Sequence, residues 1–107
     1  MEKLLPVGSV LYLQEGSTPL VIIGVAQLVK RSEDEISTYY DYSGSIYPQG
    51  ATEEEIFYFH QENISEVLFM GYESEQHDRY LQAIAEWKEK NKDSFEVGKI
   101  EQSQPIS

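Results

Sequence analysis

The stretch that most narrows the fold is Glu55–Tyr72, EIFYFHQENISEVLFMGY. Two short apolar runs, Ile56–Phe59 and Val67–Met70, flank a polar turn over His60–Ser65. Four-residue runs rich in aromatic and branched side chains are too short for helices and read as strands. The segment is expected to form strand, turn, strand and to supply the densest set of core side chains.

The rest of the chain extends that reading. Leu20–Val29 is the longest apolar run, and branching at Val21, Ile22, Ile23 and Val25 favours a strand. Gly24 interrupts it and suits either a bulge or sharp bend or close packing against an aromatic. Ser9–Leu13 is also strand-like, joined to it by the turn composition of Gln14–Pro19. Ile36–Tyr42 alternates, with Ile36, Thr38, Tyr40 and Tyr42 on one face and Ser37, Tyr39 and Asp41 on the other. Gly44 is expected to end or kink it, leaving Ser45–Gly50 as a short extended piece and turn.

From Ser74 the period becomes helical. Ser74 is a candidate N-cap, with Glu75 and Asp78 early and Lys88, Lys90 and Lys92 late. Tyr80, Ala83, Ile84 and Trp87 form an apolar stripe edged by Leu81, and the helix should end near Asn91. The expected fold class is α+β: a small, strongly bent antiparallel sheet or partly open barrel of five to six strands, followed by one C-terminal amphipathic helix. A two-layer sandwich of one sheet and one helix is the alternative. Residues 1–92 form the single expected domain, and 93–107 a flexible tail anchored by Phe95, Val97 and Ile100.

Composition limits function. No cysteine is present among 107 residues, so disulfides, thiolate metal sites and cysteine nucleophiles are excluded. The N-terminus MEKLLPVGS is too short for a signal peptide, and no run reaches membrane-spanning length, which gives a cytoplasmic expectation. Nineteen acidic against eight basic residues give a net charge of -11, which repels nucleic acid and anionic membranes. Neither is expected as a partner.

Chemical constellations are sparse. His60 and His77 are the only histidines, too few for a metal site without unsupported carboxylates, and His60 reads as a partly exposed cap of the turn that follows it. The acidic runs Glu33–Glu35 and Glu53–Glu55 lack calcium-loop spacing. Isolated glycines form no phosphate loop, so no cofactor is expected. Asp41, between two tyrosines, could act as a general base, but no partnered histidine, second acid or nucleophile sits at a telling distance in sequence, and an exposed aspartate on an edge strand is the structural reading. The expectation is a protein without enzymatic activity.

Eight tyrosines are many for this length. Tyrosine combines an apolar body with a polar tip and is favoured at protein interfaces. Tyr39, Tyr40, Asp41, Tyr42 and Tyr47 are therefore the candidate partner-binding residues, with an edge strand as a further surface.

An ordered set of short motifs also resembles a known family. In sequence they are Leu5-Pro6-Val7-Gly8-Ser9-Val10, Ile22-Ile23-Gly24, Tyr40-Asp41-Tyr42-Ser43-Gly44 and Tyr47-Pro48-Gln49-Gly50, then Phe59, Ile64 and Glu66-Val67-Leu68-Phe69-Met70-Gly71-Tyr72. The chain is similar in this respect to the domain of unknown function 4176 family over roughly Leu4–Trp87. These are small proteins of Gram-positive bacteria, often encoded beside LXG polymorphic toxins. The resemblance implies a type VII secretion helper: a cytoplasmic adaptor or chaperone that binds an LXG toxin or its small helical secretion partners. An immunity protein that blocks a toxin's catalytic domain is the alternative. No catalytic residues carry over. Gly8, Gly44, Gly50 and Gly71 would suit special backbone angles, and Tyr42, Phe59 and Phe69 would suit packing.

Overall fold

Branched and aromatic side chains drive most of the first seventy residues into extended backbone. The computed structural model describes residues 3–30, 37–53 and 55–98. In chain order these give β1 (Val10–Leu13), β2 (Leu20–Val29), β3 (Ser37–Ile46), β4 (Ile56–Phe59), a 3-10 turn (Gln61–Asn63), β5 (Ile64–Phe69), α1 (Glu75–Lys90) and β6 (Phe95–Val97). The antiparallel order is β4-β3-β2-β1-β5, and the sheet does not close. The α+β class and the helix limits agree with the sequence reading.

The long β2–β3 hairpin is the spine of the sheet. Its register runs from Leu20↔Ile46 to Val29↔Thr38, broken once by a bulge between Ile22 and Gly24. A Cβ on Gly24 would lie 2.6 Å from the Ser43 hydroxyl and 2.7 Å from the Gln27 side-chain amide, so a larger residue would have to push both side chains aside. Gly44 does not end β3. The strand continues through Ser45 and Ile46, and the missing Cβ leaves room for the Phe59 ring, 2.9 Å from where it would stand.

The core lies on one face of the sheet, against the N-terminal segment. Leu5, Leu11, Leu13, Leu20, Ile22, Val25, Tyr42, Phe57 and Phe59 form it, with Leu81 of α1 packed against it. Helix α1 starts at Ser74, whose hydroxyl accepts from the His77 N–H, as the sequence predicts. Its inward face is turned from the expected stripe. Leu81, Ile84 and Trp87 are half-buried, whereas Tyr80 and Ala83 are exposed. The rotation follows from two polar anchors. The Tyr80 hydroxyl donates to the Val25 carbonyl at 2.8 Å, beside Ala26 at φ 60°, and a ring nitrogen of His77 meets the Leu4 carbonyl at 3.0 Å.

Two expectations change. The tail does not begin at residue 93: β6 pairs parallel with β3, Ser37↔Phe95 to Tyr39↔Val97, and Phe95 stacks on Trp87. Val97 is exposed, and Ile100 lies outside the described residues. Only the first half of Glu55–Tyr72 feeds the core. Phe57 and Phe59 are buried, but Val67, Leu68, Phe69 and Met70 are 40–62% exposed because β5 is the last strand of the sheet.

Candidate functional site

Three of the five expected partner-binding residues turn inward. Tyr39, Tyr40 and Tyr42 are 2%, 8% and 0% exposed, so the anticipated tyrosine surface over this strand is corrected. The phenol tip of Tyr42 can be buried because it has partners: it accepts from the Leu5 N–H at 2.8 Å and donates to the Gln61 side-chain oxygen. Burial pushes the Tyr39 phenol upward, reinforced by the nearby Asp41 carboxylate. The Lys88 ammonium lies 4.2 Å from the Tyr39 ring centroid. Tyr47 alone of the five is strongly exposed.

Asp41 and His60 lie side by side, Asp41 Oδ2 3.4 Å from His60 Nδ1, and both bond to backbone. Asp41 accepts from the Gln61 N–H at 2.9 Å. His60 is buried, not partly exposed. Its Nε2 lies 2.6 Å from the Gly98 carbonyl, which can only accept, so Nε2 carries the proton. Nδ1 then accepts from the Asp41 N–H at 3.3 Å. With both ring nitrogens engaged, the pair staples β3, the 3-10 turn and the end of β6 together. Among the described residues no three His, Asp or Glu side chains converge on a point where a metal ion would sit.

An open apolar surface lies on the other side of the sheet. Val21, Val10 and Phe69 face one another in register across β2, β1 and β5. With Pro19, Tyr47 and Leu68 they line a shallow groove of about 560 Å3. Tyr47 is held there by its N–H, which donates to the Pro19 carbonyl at 3.0 Å. Ser9 and Gly71 fix the opposite end. The buried Ser9 hydroxyl donates to the Pro6 carbonyl and accepts from the Gly71 N–H at 3.0 Å, locking the chain just after Met70 against the N-terminal segment. The groove residues on β1, β2 and β5 are absent from the sequence-based site, since apolar runs in strands read as core. Nothing local marks Val67–Met70 as an edge, since it contains no lysine or proline, the usual protections of one.

Charge around this surface is one-sided. No lysine or arginine occurs from Leu4 to Val29 or from Ser37 to Asp78. Lys3 is engaged by Glu73 at 3.1 Å and by Asp78, which raises the lysine above its ordinary value and holds the Asp78 carboxyl below its own.

A family profile described as "Domain of unknown function (DUF4176)" matches residues 4–80, well over half of the chain. The chain belongs to the DUF4176 family. No curated protein and no solved structure matches it. The DUF4176 match takes in β1 to β5, and with them every groove residue, and stops within α1. Strand β6 and the Gly98 contact lie beyond it. Of the four glycines expected to need special angles, Gly8 and Gly50 have positive φ, while Gly44 and Gly71 are required by close packing. No helix among the described residues is long and apolar enough to cross a membrane.

Proposed function

We propose that this DUF4176 protein is a non-catalytic binding module, an adaptor or chaperone that engages an LXG-type toxin of a type VII secretion system, or its small helical partners, in the cytoplasm of the producing cell. One observation carries the reading: an apolar run, Val67–Met70, exposed along and just after the last strand and continuous with a groove. Soluble proteins seldom present such a patch without a partner for it. The engagement of both His60 ring nitrogens by backbone supports a structural role for the buried polar cluster.

Affinity pull-down from the native host, with the neighbouring locus expressed, tests this. Recovery of an LXG toxin through its N-terminal targeting region is the expected result; recovery of neither toxin nor small helical partner overturns it. The net charge of -11 favours a second reading, immunity against a toxin with a basic catalytic domain. Binding to the C-terminal toxic fragment alone selects that reading.

A further inference from the structure

The open edge of β5 invites a strand from a partner, but its geometry opposes this. The β1–β5 register slips twice, between Val10 and Leu11 and between Tyr12 and Leu13, leaving an extra residue on β5 each time. A bulged strand twists and bends, and cannot present an even row of backbone groups to an incoming strand. The side-chain face is better organised. The row Val21–Val10–Phe69 crosses three strands, which at two interstrand spacings is about 10 Å wide. That width matches the diameter of an α-helix with its side chains, about 10 Å.

Charge beyond the groove selects a basic partner. Glu66 lies opposite Tyr12, two residues along β1 from Val10, and Glu15 and Glu62 sit in the turns beyond, which the Gln14 N–H ties together at the Asn63 carbonyl. No lysine or arginine lies on β1, β2 or β5, or in the turns 14–19 and 60–63. A second copy of the chain would bring another -11 of charge to this rim. We infer that the face formed by Val21, Val10, Phe69, Leu68 and Tyr47 receives an amphipathic helix of a partner protein, its apolar stripe on the groove and basic side chains toward the glutamates. Helix-in-groove docking of this kind reads anchors at i, i+3, i+4 and i+7. The inference rests on the binding-module reading but names its surface and ligand class.

The test uses the full chain and three labelled peptides: a Leu/Lys amphipathic helix, its Leu/Glu counterpart and an alternating Val/Lys strand-former. Fluorescence anisotropy is recorded for wild type, Phe69→Ser and Leu68→Ser. Both substituted side chains are exposed, so the fold is retained, and neither changes the charge. The Leu/Lys helix should bind wild type best, and at least tenfold more weakly to each variant. Equal binding to the variants, or preference for the strand-former or the Leu/Glu helix, overturns the inference, as does a concentration-dependent dimer that dissociates in Phe69→Ser. A host toxin still captured by Phe69→Ser would sink this surface while leaving the adaptor reading in place.

Discussion

The hydroxyl of Tyr42, wholly buried in β3, accepts the backbone N–H of Leu5 at 2.8 Å. This single contact ties the N-terminal segment to the centre of the sheet across 37 residues of sequence. Tyr42→Phe keeps the ring and strands a buried N–H without its acceptor. The expected loss is about 1–3 kcal/mol, seen as a lower urea midpoint with an unchanged slope. A midpoint equal to wild type would show that the contact contributes nothing.

Tyr39 is the opposite case. Its hydroxyl is buried with no hydrogen-bond partner among the described residues, and burial raises its phenol above the ordinary value of 10.0. A folded-state value above the unfolded one means that this contribution is fully present below pH 10 and is lost as pH rises beyond it. The protein should therefore lose stability above that pH, and Tyr39→Phe should move the alkaline unfolding limb upward. At neutral pH the same substitution should change stability by less than about 1 kcal/mol, since no bond is broken. Circular dichroism melts across pH 7–12 check both parts.

Gly98→Ala should release β6. An added Cβ would stand 2.3 Å from the Tyr40 ring and 2.7 Å from the Thr38 methyl. The expected outcome is faster amide exchange at Glu96, Val97 and residue 98, with β1 and β2 still protected. Uniform protection across the variant would contradict the tight fit of Gly98 against β3.

Gly71→Ala should be more damaging, because its Cβ would meet the Val7 carbonyl at 2.5 Å and the Ser9 nitrogen at 2.9 Å, both backbone. Backbone cannot rotate aside as a side chain can, so the loss should be about 3 kcal/mol or more. Thermal unfolding measures it.

These residues also mark what the sequence discloses. Helix α1 was legible because its signals are local: a serine cap at Ser74, early acids, late lysines and a 3.6-residue stripe. A bulge at Gly24 was one of two readings of a glycine within a branched run, the other being close packing against an aromatic, and the register break decides for the bulge. The burial of Tyr39, Tyr40 and Tyr42 was not, because a tyrosine is read as surface or core only through its partners, and those of Tyr42 come from distant segments. Nor was the exposure of Val67–Met70. Apolar runs in an edge strand and an inner strand look alike, and strand order is settled by pairings such as Leu11↔Val67, far apart in the chain. Strand β6, three residues long, is held by Trp87, Tyr39 and His60, none of them near in sequence.

The proposed docking surface is the exposed face of β5, β1 and β2. Amide hydrogen exchange of the complex with whichever protein co-purifies from the host is its sharpest test. New protection is expected at Val10, Val21, Leu68 and Phe69, with unchanged exchange over Tyr39–Tyr42. Protection confined to α1 or to β3 and β6, with the groove residues exchanging as in the free protein, would contradict it.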